Sequence, residues 1–175
     1  MKMLVAFAFA VVTTVALAQS PYAGMQARPV KALSAEQIAD LKAGRGMGRA
    51  LAAELNGYPG PSHLLELADQ LQLSPEQRAS ISRLFDTMKQ EAIPLGEQLL
   101  EQESELDRQF AGHGVTPESL KAAISAIAAT QASLRETHLK YHLRTGAFLS
   151  PHQLQQYSEL RGYGGRDSNL PHHRH

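Results

Sequence analysis

Leu73-Ser74-Pro75-Glu76-Gln77 and Leu149-Ser150-Pro151-His152-Gln153 write the same phrase twice, 76 residues apart, and Leu33-Ser34-Ala35-Glu36-Gln37 gives a weaker third copy. Each copy reads as a helix start. The serine hydroxyl accepts from the amide three residues on, proline fits the first helical position where no amide partner is needed, and glutamine reaches back to the cap. The leucine in front acts as a hydrophobic staple. Two full copies in one chain therefore fix the beginnings of two helices, and what lies between them decides the fold.

After Ser74, the positions Ile81, Phe85, Met88, Ala92, Leu95, Leu99 and Leu106 alternate by four and three, with Gln102 filling one slot. This spacing predicts one long helix with a packing seam. Pro94 lacks the amide that would bond the Gln90 carbonyl, so a kink rather than an end is expected there. Gly112-His113-Gly114-Val115 reads as a turn, and Thr116-Pro117 as the next cap. Beyond it Leu120, Ile124, Ile127, Gln131, Leu134, His138, Tyr141 and Thr145 carry a matching seam, which predicts an antiparallel fold-back closed at Gly146. A shorter helix from Ser150 with Leu154, Tyr157 and Leu160 follows and ends at Gly162. No segment reads as a strand. The expected fold class is all-α: a kinked long antiparallel helical hairpin with shorter flanking helices.

Before the hairpin, Ser34 to Asn56 is helical in pattern, but Gly44, Gly46 and Gly48 each weaken its middle by roughly 1 kcal/mol relative to Ala. One helix or two short ones joined at 44–48 fit equally. Asn56-Gly57-Tyr58-Pro59-Gly60-Pro61 then stops any helix, and Ser62 is expected to cap a short apolar turn running to Leu71.

The chain opens with Lys2, an apolar run from Leu4 to Ala18 and a small-x-small ending, Ala16-Leu17-Ala18, which is the pattern of a cleavable export signal. The expected organisation is a signal peptide over 1–18, a flexible leader over 19–33, an interrupted helical segment over 34–62, a hairpin domain over 63–163 and a disordered histidine-containing tail over 164–175. No transmembrane segment is expected after cleavage, and the expected location is the periplasm. With no cysteine, neither a disulfide framework nor a thiolate metal site is available. Without Lys2 the chain carries 16 basic and 17 acidic residues, so nothing in the global charge points to nucleic acid.

Chemistry concentrates in His138-Leu139-Lys140-Tyr141-His142, where two imidazoles four residues apart share one helical face. Leu139 stands where a zincin has its glutamate, so hydrolytic zinc chemistry is not supported. If the hairpin pairs Phe110 with Leu120, equal helical rise sets His138 level with Ala92 and His142 level with Met88. Met88 and Glu91 are then the nearest donors across the seam. The set His138, His142, Met88 and Glu91 suits a divalent transition metal: nickel, cobalt, copper or zinc. Each residue also has a plainer reading: His138 as a packed seam histidine, Met88 as a core gap-filler. Gly44 to Gly48 is no phosphate loop, because neither a preceding strand nor a following Gly-Lys-Ser/Thr is present. The acidic run Glu97, Glu101, Glu103, Glu105 and Asp107 reads as a solvated helix face. No Ser-His-Asp or Cys-His arrangement can be assembled, so an enzyme is not expected.

On the two Leu-Ser-Pro-x-Gln phrases, the export signal and the helical body, the chain resembles the Spy/CpxP (LTxxQ-motif) family of periplasmic stress proteins, which includes the CnrX/ZraP-like heavy-metal sensor and resistance proteins. The resemblance covers about Leu64 to Tyr163, with serine where the family usually has threonine. It implies a small helical hairpin that dimerises into a cradle. It also implies one of three roles: a metal-responsive sensor or resistance protein, an ATP-independent holdase for unfolded envelope proteins, or a passive regulator that contacts a membrane sensor protein. The metal-sensing members carry a His-x-x-x-Met pair on the corresponding helix, which His138 matches directly and His142 by analogy. Their histidine-rich first helix has no counterpart here, since Ser34 to Asn56 contains no histidine.

Overall fold

A computed structural model describes residues 20–163. The expected signal peptide, its expected cleavage site and the histidine-containing tail lie outside the described residues. Six α-helices follow one another: α1 (Ala35–Lys42), α2 (Leu51–Glu54), α3 (Pro61–Glu66), α4 (Pro75–Ala111), α5 (Pro117–Gly146) and α6 (Pro151–Leu160). There is no strand among the described residues.

All three copies of the capping phrase do what their chemistry dictates. Ser34, Ser74 and Ser150 accept from the amides of Gln37, Gln77 and Gln153, whose side chains accept from the serine amides in return. Thr116 and Ser119 form a fourth reciprocal box at the start of α5. The two full phrases also meet. Gln77 Nε2 donates to Gln153 Oε1 at 2.9 Å, Gln153 Nε2 donates to Gln77 Oε1 at 3.1 Å, and the same two amides reach the carbonyls of Phe148 and Leu71. Each repeat starts its own helix and clasps the start of the other.

α4 and α5 pack along each other as an antiparallel hairpin. α4 runs 37 residues and continues unbroken through Pro94, which lies on the exposed side. Glu91 meets Lys140 and Tyr141 across the hairpin, within two residues of the register that pairing Phe110 with Leu120 dictates. On α4 the predicted seam is observed, with Ile81, Met88, Ala92 and Leu99 buried. On α5 it departs towards the tip: Leu120, Ile124 and Gln131 are exposed, while Thr130 and Thr137 are buried. The shorter α-helices lie over the base and middle of the hairpin; towards the far end the 20–33 stretch reaches α4, while Leu120 and Ile124 of α5 stay exposed.

The interrupted segment resolves as two helices, α1 and α2, joined through Gly44–Gly48. α1 crosses α4 at Gly96, where a β-carbon would stand 2.5 Å from the Leu41 carbonyl oxygen, so only glycine admits the crossing. One apolar cluster, Leu41 with Ala92, Leu99, Ile127 and Leu134, holds α1 to the hairpin. A second, including Leu64, Leu71, Ile81 and Tyr157, closes the base with α3 and α6. The 20–33 stretch, expected to be featureless, contains a 3₁₀ turn at Met25–Ala27 and buries Val30, while the Lys31 amide donates to Asp107 at 2.6 Å. Nor is Ser62 a cap: α3 starts two residues earlier than expected, with Gly60 at the cap and Pro61 at the first helical position, where its missing amide costs nothing.

Candidate metal centre

Where α2, the loop after it and α3 fold against the middle of the hairpin, they enclose a cavity of about 200 Å3. His138 and His142 project into its wall from α5, Met88 from α4, His63 from α3, Glu54 from α2, and Met47 from the glycine-flanked turn. Three of the four residues that the sequence singles out are thus brought together. Glu91 is not. It sits one step off the α4 seam, between Met88 and Ala92, and turns to the flank, where it pairs with Lys140 Nζ and accepts from Tyr141 Oη at 2.8 Å. The Lys140 ammonium, set against the pull of partial burial, holds the Glu91 carboxyl below its ordinary range. A carboxylate so engaged and outside the cavity is removed from the proposed ligand set.

The sequence reading missed Glu54, His63 and Met47. Glu54 is only 4% exposed. Its carboxylate accepts from the Gly60 amide at 3.2 Å, from Tyr163 Oη at 3.2 Å and from Tyr157 Oη, with His63 Nδ1 at 3.2 Å and Arg161 Nε at 3.6 Å. Burial pushes its pKa up, but His63, Tyr157 and the Gly60 amide together pull it down to about 2. Burial of the Tyr157 phenol, and then its bond to the same carboxylate, raise the Tyr157 pKa. Glu54 is therefore a charged hub tying α2, α3 and the C-terminal segment together: Oε1 takes both phenols, His63 and Arg161, whereas Oε2 accepts from the Gly60 amide and lies 3.7 Å from His142 Nδ1.

The two α5 histidines differ. His142 Nδ1 lies 2.7 Å from the Tyr58 carbonyl oxygen, and a carbonyl only accepts, so the ring proton belongs on Nδ1 and the Nε2 lone pair is left for another partner. Nε2 lies over Gly60, where a methyl group would approach within 2.7 Å; glycine there keeps that nitrogen clear. Burial lowers the His142 pKa against the opposing influence of the Tyr58 carbonyl and Glu54. His138 is 2% exposed, and its Nε2 has no hydrogen-bond partner. Burial, reinforced by the nearby Arg49 guanidinium and His142, pushes its pKa down to about 4. A buried imidazole without a partner is costly unless something occupies its free nitrogen. This one is neutral at physiological pH, so no proton competes for it.

Among the described residues no three His, Asp or Glu side chains converge closely enough to hold an ion by themselves. What the cavity offers is three imidazoles, one of them bonded to Glu54, two thioethers and the Glu54 carboxylate, whose Oε1 is taken by structural partners. No described helix is long and apolar enough to cross a membrane. A family model for LTXXQ motif family proteins matches residues 62–161, which takes in both full capping phrases, the hairpin, His63, Met88, His138 and His142. No curated protein and no solved structure matches the chain.

Proposed function

The chain belongs to the LTXXQ motif family, of the Spy/CpxP type, and from that premise we propose that it is an exported, periplasmic, metal-responsive helical protein that binds a transition metal ion at His138 and His142 with Met88. The observation that carries this reading is the orphaned Nε2 of His138, buried in the wall of a cavity into which His142 and Met88 also project. His142 adds the usual arrangement of a metal-binding histidine, one ring nitrogen held by a backbone carbonyl and the other left free. The family is one of stress and metal-related proteins, and nothing at this site resembles a nucleophile with its base, so the role is binding and reporting rather than catalysis.

Titration of the mature protein with nickel, cobalt, copper and zinc tests the reading. Tight, saturable binding at one ion per chain is expected, reduced at least about tenfold by His138→Ala combined with His142→Ala. Unchanged affinity in the double variant overturns it.

A second reading, an ATP-independent holdase for unfolding envelope proteins, is favoured by a different surface. On α5 the groove lined by Ala132, Arg135, Glu136, Leu139, Lys140 and Leu143 sets apolar groups among two basic and one acidic side chain, a face that could hold unfolded segments. Slowed aggregation of a model client without metal supports it, and no effect at several-fold excess excludes it.

A further inference from the structure

The donors around the cavity differ in hardness and charge, and the difference bears on which ion fits. Divalent nickel, cobalt and zinc are served by imidazole and carboxylate, yet the carboxylate at this cavity, Glu54, accepts from Gly60, Tyr157 and Tyr163 and pairs with His63. Met47 and Met88 instead bring two thioethers to the same wall as His138 and His142. Met47 is held there by an unusual backbone. It takes φ +49°, in the left-handed region that a residue with a long side chain seldom adopts, next to Gly48 at φ +75°. Its sulfur lies 3.2 Å from Arg49 Nη1, and that guanidinium is close enough to His138 to repel charge on it. Thioether and imidazole therefore line the same small volume, with the Arg49 guanidinium and the Glu54 carboxylate both beside it.

Building on the metal reading above, we propose that this pocket selects a soft monovalent d10 ion, cuprous copper, held by the thioethers of Met47 and Met88 and the Nε2 atoms of His138 and His142. Neutral sulfur and nitrogen donors match a soft ion. Arg49 gives up its contact with the Met47 sulfur when the ion enters.

The test uses the full mature chain with His172, His173 and His175 replaced by alanine in every arm, so that the tail imidazoles do not contribute. Cu(I) is titrated anaerobically in competition with a chromophoric Cu(I) chelator, and Ni(II), Co(II) and Zn(II) in competition with a divalent-ion indicator. One Cu(I) per chain is expected, with an affinity exceeding that for each divalent ion by at least about a hundredfold. Met47→Leu and Met88→Leu keep the apolar volume and are each expected to weaken Cu(I) at least about tenfold, with Zn(II) binding changed less than about twofold. Divalent binding as tight as Cu(I), or Cu(I) affinity indifferent to both leucine variants, overturns the copper assignment while leaving a histidine-dependent metal site standing. Loss of no metal at all on His138→Ala with His142→Ala removes both. Circular dichroism of each variant confirms that weakened binding is not unfolding.

Discussion

His138 and Glu54 are the residues where buried charge is settled, and they respond to pH in the same direction through different windows. In the unfolded chain a histidine takes its proton near pH 6.5, whereas folded His138 does so only near 4. Between those values the unfolded state binds more protons, so stability falls as pH falls. On the order of 3 kcal/mol is lost from the metal-free protein across that window. Urea midpoints measured from pH 7 to pH 4 should drop accordingly, and His138→Gln, which takes up no proton, should flatten the slope. Glu54 acts lower: its carboxylate stabilises the fold above about pH 4.5 and loses that contribution as pH approaches 2. Replacing Glu54 by alanine leaves two phenols, His63 and the Gly60 amide without their acceptor and is expected to cost about 2–4 kcal/mol in urea denaturation. A loss below about 1 kcal/mol would mean that water replaces the carboxylate easily. Of this centre, His138, His142 and Met88 were legible, because helical spacing and hairpin register are local arithmetic. Glu54, His63 and Met47 were not. They reach the cavity through a loop that sets Tyr58 against His142 across 84 residues of sequence, and no periodicity encodes that closure.

At the scale of elements, the capping phrase carries more than its local chemistry reveals. Helix starts were readable because a cap involves neighbours three residues apart, and every full copy starts a helix at the expected residue. The mutual bond between Gln77 and Gln153 was not, since pairing across 76 residues depends on α6 returning to the base of α4. Each glutamine therefore stabilises twice, once in its own box and once in the clasp. Ser74→Ala and Ser150→Ala should each cost about 1 kcal/mol, as ordinary caps do. Gln77→Ala and Gln153→Ala should instead be coupled: a double-mutant cycle is expected to give an interaction energy of about 1 kcal/mol, and additive losses would show that the clasp contributes nothing. The α5 seam was misread for a related reason. Spacing alone assigns Leu120 and Ile124 to the interior, but burial also requires an element laid over them, and no described helix covers α5 at the tip; Gln131, in mid-helix, is exposed because Thr130 faces in instead.

On the whole molecule, the histidine-lined cavity and the groove around Leu139 and Leu143 occupy opposite aspects of the same stretch of α5, which makes the two functional readings separable. Tyr141, His138 and His142 turn inward, while Leu139 and Leu143 turn outward, Leu143 being 60% exposed. Leu139 and Leu143 also border a second hollow with Ala52, Ala53 and Tyr58, so the apolar surface continues from α5 onto the segment that carries α2. Contiguous exposed apolar surface of this kind is covered by a partner or kept for one. A second copy of the chain, as in a dimeric cradle, and an unfolded client both satisfy it, and they predict different measurements. Leu139→Glu with Leu143→Glu places two charges on the patch without touching the buried face, so metal affinity and helical content should stay within about twofold and a few per cent of the parent. If the patch joins two copies, light scattering should show the parent as a dimer and the variant as a monomer. If it holds clients, the mass should be unchanged while protection of an aggregating client falls by at least about fivefold. Should both mass and protection survive the two added charges, the patch is ordinary solvent-facing surface, and the proposed metal reading is the one that stands.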